Sequence, residues 1–292
     1  MNKPTASHAL RRERLARSLR EAGGGLAVIP TAPERNRNSD NDHPYRHDSH
    51  FHHLLGFDEP QAWLLIDATG RSTLLCRDKN PEREIWDGLR LGPLEAPAAL
   101  GVHDAADVAT LDSLLPERLA EQPAVWFPFG LHAGLQAQVE GWLDKVRSRE
   151  RSGVSCPASM RDLGPLLAEM RLVKDADELA TMKRAAEISA GAHARAMRFC
   201  GQRFAAAPHG EVREYEIEAE LLHEFRRHGA QGPAYPSIVA AGANACVLHY
   251  AAGHTPLRAG ELCLIDAGCE LDGYASDVTR TFPADGRYTP AQ

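Results

Sequence analysis

The sequence has no apolar run near the ~18 residues that a membrane-spanning helix requires, and no membrane association is expected. It also lacks an excess of positive charge. The formal net charge is −7, so a nucleic-acid partner, which calls for a basic surface, is not expected either. No Cys-x-x-Cys pair occurs among the six cysteines, and most sit in apolar runs such as Leu74-Leu75-Cys76 and Cys263-Leu264-Ile265. That placement reads as buried, reduced thiols of a cytoplasmic protein rather than a disulfide framework or a zinc knuckle. The Arg-rich stretch from His8 to Glu21 has no apolar signal core, and Glu13 and Glu21 interrupt the basic character of a transit peptide. Leu10, Leu15 and Leu19 among its charges predict an amphipathic first helix instead. Internal repeats and low-complexity segments are missing as well.

What is there is ordinary for a globular protein: 43% hydrophobic and 25% charged residues over a length of 292, enough for two domains. Strands are predicted at Leu26–Pro30, Ala62–Ile66, Ser72–Cys76 and Ala124–Phe127, with Asp67 to Gly70 as a turn between the middle two. The polar stretch Thr31 to Ser49 reads as a long loop, and Leu131–Arg147 as a helix. Strands alternating with helices indicate an α/β first domain over residues 1–172. Past that, Asp175 and Glu178 have the spacing of a capping box and open a helix expected to reach about Phe199. A second helix, Glu214 to His228, puts Ile217, Leu221 and Phe225 on one face and stops before Gly229. Strand-like runs fill Tyr235 to Phe282, so residues 173–292 form an α+β second domain.

The chemistry concentrates around Asp266 and Asp277. Asp272-Gly273 is the strongest short hairpin signal. Placed at the centre of a two-residue turn, it sets Asp266 opposite Thr279, and period-2 alternation puts Asp277 on the same face. Diagonal neighbours on paired strands stand ~7–8 Å apart, and paired catalytic metals lie ~3.5–4 Å apart, so the two carboxylates can converge on ions between them. A one-residue bulge would break the parity. A carboxylate after Leu262-Cys263-Leu264-Ile265 is expected to be partly buried and to need a partner, whereas Asp277 alone reads equally as a solvated strand residue. Oxygen donors suit Mn or Mg, with Zn and Co as alternatives.

Leu264-Ile265-Asp266-Ala267-Gly268 followed by Gly273-Tyr274-Ala275-Ser276-Asp277-Val278-Thr279-Arg280-Thr281-Phe282 resembles the first two metal-ligand positions of the pita-bread metallopeptidases. Asn244 to Tyr250 resembles the segment carrying that family's active-site histidine. His43-Pro44-Tyr45-Arg46, Leu55 to Pro60, Glu84-Ile85-Trp86, Glu169 to Leu172 and His223 to Gly229 are similar to bacterial aminopeptidase P, and the likeness covers nearly the whole chain. Prolidase, creatinase and methionine aminopeptidase fit less well. The resemblance implies an α/β N-terminal domain followed by an α+β pita-bread domain. It implies removal of the N-terminal residue from peptides with proline in second position, by hydroxide attack at two divalent metal ions, Mn in the first instance. Asp266 would hold one ion and Asp277 both. His249 would be catalytic, and Tyr235 would line the substrate pocket. Trp86 would close a neighbouring subunit's pocket in a homo-oligomer, a dimer or tetramer. Without the resemblance, His249 reads as a half-buried histidine, and Tyr235 and Trp86 as packing residues.

The family pattern continues beyond Gln292, where a histidine and two glutamates supply the remaining ligands. The pita-bread domain is therefore expected to be incomplete here, with its apolar face open and little activity on its own. The rival expectation is a non-catalytic module that binds peptides or proteins. A separate metal site is a further reading of His47, His50, His52 and His53. His52 and His53, however, stand where aminopeptidase P relatives carry aromatic rings.

Overall fold

The computed structural model describes residues 6–292. They divide into two compact units, the first ending at Val173 and the second running from Lys174 to Gln292. No described helix is long and apolar enough to cross a membrane.

The first unit is built on a six-stranded mixed sheet. Its order is Asp104–Asp107, Ser72–Cys76, Trp63–Asp67, Leu26–Pro30, Ala124–Phe127, Ser159–Asp162. Leu26–Pro30 and Ala124–Phe127 are buried along their whole length, as central strands covered on both faces must be. Alternation then sorts their side chains. Ala27 and Ile29 join the core that holds Leu15, Leu19, Phe51 and Leu54. Leu26 and Val28 join the core on the other face, with Leu115, Phe127 and Trp142. The hairpin between Trp63–Asp67 and Ser72–Cys76 is closed by Asp67, whose Oδ1 accepts from the backbone of Thr69 and Arg71.

Several expectations need correction here. The first helix, Ala6–Glu21, buries Leu15 and Leu19, but Leu10 is 62% exposed. Arg11 and Arg12 are buried instead. Their guanidiniums donate to the carbonyls of His53 and Leu54, and Arg12 also to Leu100 and Gly101. The basic residues thus cap the C-terminal carbonyls of other helices, which carry partial negative charge. The stretch read as a long loop contains a short hairpin, Asn36–Asn38 with Asn41–Asp42, and is followed by a helix, Ser49–Leu55, capped by Asp48. The helix expected from Leu131 starts at Leu135, because Gly134 is left-handed at φ 84°. Helices at Pro81–Asp87, Gly92–Leu100, Leu111–Leu119 and Gly164–Leu172 were not apparent from the periodicity. They span only 7 to 9 residues, and Pro97 and Pro116 interrupt two of them.

In the second unit the Asp175–Glu178 capping box opens a helix that runs to Ala206, past Phe199 and through Gly201. Glu214–Arg227 packs against it through Ile217, Leu221 and Phe225, and Gly229 follows with φ 90°. Two three-stranded sheets and a two-stranded one, Glu211–Arg213 with Pro256–Arg258, complete the unit. Of the three-stranded sheets, one orders Ile238–Ala241, Leu262–Asp266 and Thr279–Pro283; the other orders Gly232–Pro233, Cys269–Leu271 and Tyr274–Ala275. Cys263 and Ile265 point into the core, which leaves Leu262, Leu264 and Asp266 on the opposite face of their strand.

Candidate metal centre

Asp272 and Gly273 have φ of 50° and 79°, as the two central residues of a type I′ turn require. That turn sets the register of everything before and after it. Leu271 pairs with Tyr274 and Glu270 with Ala275; further out, Asp266 pairs with Thr279. The ladder leaves one sheet and enters the other without losing its count, because Ala267 N–H donates to Val278 C=O at 3.1 Å and Ser276 N–H to Cys269 C=O at 3.0 Å. No bulge intervenes, and Asp266 and Asp277 share a face.

Their carboxylates meet at Tyr235. Its hydroxyl donates to Asp266 Oδ1 at 2.6 Å and to Asp277 Oδ1 at 3.0 Å. Asp266 is half-buried and Asp277 exposed. Burial first, and then the two carboxylates accepting its hydrogen bonds, push the Tyr235 phenol far above its ordinary range, so it remains a donor. Two carboxylate oxygens turned toward one point, held there by a single hydroxyl group, are a donor pair that suits a hard divalent cation. Among the described residues, no third His, Cys, Asp or Glu donor joins this pair; only His47, His52 and Asp58 bring three such atoms within 4.8 Å of one another.

Side chains from the long helix hold the backbone on both sides of the pair. Ser189 Oγ contacts Ser276 Oγ at 2.7 Å and accepts from Cys269 N–H at 3.0 Å, which fixes the residue before Asp277. His193 Nε2 donates to Ala267 C=O at 3.1 Å and fixes the residue after Asp266. Ser189 and His193 are one helical turn apart, so one rigid face positions both carboxylates. His193 is 3% exposed. Burial is the main force lowering its pKa, with nearby Arg280 acting in the same direction; Asp266 and the carbonyls of Ala267 and Val278 oppose it. The folded pKa is therefore below the unfolded value of about 6.5. The resulting stability is complete above that value and is lost as pH falls from it toward the folded pKa, at no more than about 1.4 kcal/mol per pH unit. Urea melts at pH 7.5 and 5.5 should show a larger loss for the parent chain than for His193→Gln; equal losses would exclude His193 as a contributor.

His249 lies on an exposed turn, and among the described residues no hydrogen bond links it to Asp266, Asp277 or Tyr235. The loop that carries it is nevertheless anchored on both sides by Glu214, which is fully buried. Glu214 Oε1 accepts from Ala241 N–H at 2.9 Å and Asn244 Nδ2 at 3.0 Å. Its Oε2 accepts from the Tyr250 hydroxyl at 2.9 Å and Gly253 N–H at 3.0 Å. Nothing in the sequence flagged Glu214, because an acidic residue in a first helical turn is what the helix dipole alone would favour. Ser189 and His193 were missed because their partners are far away in sequence. Trp86 belongs to the first unit, where it is 83% exposed beside Ile85 at 81% and Leu89 at 85%.

Residues 8–126 match the family described as Aminopeptidase P, N-terminal domain, and residues 180–292 match Metallopeptidase family M24. The chain is 41% identical to the Xaa-Pro aminopeptidase of Escherichia coli over 273 residues, 92% of this chain and 60% of that protein. It is 39% identical to the Xaa-Pro aminopeptidase of Haemophilus influenzae over 89% of this chain and 56% of that one. The aminopeptidase PepP of Pseudomonas aeruginosa superposes with a TM-score of 0.91 at 42% identity, covering 98% of this chain and 63% of the other. Zinc-substituted aminopeptidase P of E. coli with bound product superposes with a TM-score of 0.90 at 40% identity, covering 98% and 64%. The chain thus spans about 60% of the length of the relatives it matches.

Proposed function

Since residues 8–126 belong to the aminopeptidase P N-terminal family and residues 180–292 to metallopeptidase family M24, the latter in the pita-bread fold, we propose that this chain serves a metal-dependent Xaa-Pro aminopeptidase. Its substrates are peptides with proline in second position, from which it releases the first residue, in the cytoplasm. The observation that carries this reading is the convergence of Asp266 and Asp277 on the Tyr235 hydroxyl.

Asp266 would hold one divalent ion and Asp277 would bridge two, with Mn as the expected metal and Zn, Co or Mg as substitutes. When bound, such ions lower the pKa of water toward neutrality and polarise the scissile carbonyl. Two carboxylates are too few donors for two cations that each take about six oxygens, so further ligands belong to the proposal. His249, held on its anchored loop, would donate a hydrogen bond near the scissile bond or carry a proton to the leaving nitrogen. Tyr235, kept protonated, lines the same pocket as a donor. The substrate's proline nitrogen carries no hydrogen, so selection rests on the ring's shape, and the exposed Trp86 would supply an apolar wall to a neighbouring copy in a homo-oligomer.

The test is to express the chain together with whatever its reading frame encodes after Gln292. Release of the first residue from an Xaa-Pro tripeptide is then followed with Mn²⁺ present. Turnover that falls by about 10³-fold in Asp266→Asn and in Asp277→Asn is expected, since metal polarisation contributes several kcal/mol to the transition state. Peptide binding without turnover, unaffected by a chelator, would replace this reading with a non-catalytic peptide-binding module.

A further inference from the structure

The sequence groups His47, His50, His52 and His53 by proximity, but the fold sorts them differently. His50 Nδ1 lies 3.3 Å from an Arg171 guanidinium nitrogen, and His53 is buried at 4% exposure. His47 and His52 turn the other way, toward Asp58. His52 Nε2 is 3.3 Å and His47 Nε2 is 3.7 Å from the same oxygen, Asp58 Oδ1. From this convergence we infer a second metal site in the first unit, in which His47, His52 and Asp58 bind one zinc-class divalent ion.

Three local features build it. Asp48 caps the helix Ser49–Leu55 by accepting from the N–H groups of His50 and Phe51. That fixes His47 just outside the first turn and His52 within the helix. The left-handed Gly56, at φ 65°, then ends the helix and returns the chain so that Asp58 comes back beside both rings. The two imidazoles have side-chain exposures of 11%, while Asp58, at 46%, faces solvent and leaves an entry path.

The proton inventory points to a cation. His47 Nδ1 lies 3.3 Å from the Asp48 carbonyl, which can only accept, so Nδ1 carries the hydrogen. In the neutral ring His47 Nε2 then presents a bare lone pair toward a carboxylate oxygen 3.7 Å away, acceptor facing acceptor. A positive ion between them removes that repulsion, and the Nδ1–H to carbonyl contact is the outer hydrogen bond that orients metal-bound histidines. Donors on a tetrahedral zinc with bonds of about 2.0–2.1 Å stand about 3.3–3.4 Å apart. The 3.3 Å separation already meets that, and the 3.7 Å one needs a few tenths of an ångström. The rings are stacked, with centroids 3.9 Å apart and 10° between planes. A bound ion lies in the plane of each ligating ring, so binding turns one imidazole about its soft terminal torsion. Two nitrogens and one carboxylate oxygen suit Zn²⁺, Co²⁺, Ni²⁺ or Cu²⁺ rather than Mg²⁺ or Ca²⁺; water completes the set.

The test uses the whole chain carrying Asp266→Asn and Asp277→Asn, so that the centre of the second unit does not contribute. Titration with Zn²⁺ in a calorimeter should give one equivalent bound, and Co²⁺ should develop the visible absorption of a four-coordinate ion. Asp58→Asn, which keeps shape and sits at the surface, should weaken Zn²⁺ binding about 100-fold, as should His47→Gln. Circular dichroism verifies that both variants remain folded. No Zn²⁺ binding by the parent, or undiminished binding by folded Asp58→Asn, overturns the site.

Discussion

Gly268→Ala is expected to abolish folding of the second unit. At Gly268 the two strands of the acidic hairpin come so close that a Cβ would sit inside the Ser276 carbonyl and 2.9 Å from Asp277 N. Both obstacles are backbone, so no side chain can swing aside. Relief would require parting the strands, at the expense of the Ala267–Val278 and Ser276–Cys269 hydrogen bonds and the Ser189 contacts behind them. Protein interiors are packed too tightly to absorb that shift. A loss of about 5 kcal/mol or more is expected, comparable to the whole stability of many domains. In a denaturant melt the variant should lose the transition of the second unit and keep that of the first. A Gly268→Ala chain within about 1 kcal/mol of the parent would show that the strands can part after all.

The second large effect is expected at Glu214. Glu214→Ala removes the acceptor shared by Ala241, Asn244, Tyr250 and Gly253; Asn244 Nδ2 still reaches the Tyr250 and Thr255 oxygens, but the Ala241 and Gly253 N–H groups lose their partner beside a fully buried position. Orphaned buried donors cost about 1–3 kcal/mol each, less where water can enter, so a loss of about 3–5 kcal/mol is expected. Glu214→Gln should recover only part of it, because its amide nitrogen would face donors on one side. The structural consequence is as specific as the energetic one. Amide hydrogen exchange should accelerate from Ala241 to Gly253, the segment that carries His249, while the Leu262–Asp266 strand stays protected. Unchanged exchange in that segment would mean that other contacts hold the loop.

The hairpin was legible because its information is local. One dipeptide, Asp272-Gly273, determines a turn, the turn determines a register, and the register places Asp266 opposite Thr279. The capping box at Asp175 and Glu178 and the apolar run Leu26–Pro30 are local in the same sense. What could not be read depends on residues far apart in sequence. Three of the short helices, Gly92–Leu100, Leu111–Leu119 and Gly164–Leu172, are held by cores they share with the sheet, not by their own periodicity, whereas Pro81–Asp87 buries no residue at all. Ser189 and His193 look like unremarkable helix residues until the fold brings Cys269, Ser276 and Ala267 to them. The histidine cluster was legible only in part. His47 and His52 converge while His50 faces Arg171, and the third member of the group, Asp58, carries no signal without the turn at Gly56.

The unbroken ladder from Asp266 to Asp277 also has an evolutionary meaning. Because the facing of each carboxylate is counted in single residues from one turn, the quantity under selection in this stretch is its length as much as its chemistry. Substitutions can accumulate at Glu270 or Ala275 without moving the aspartates, but one inserted or deleted residue in a strand would send one carboxylate through to the other face. Lineages that descend from such a chain are therefore free to vary in letters at those two positions and bound to agree in number.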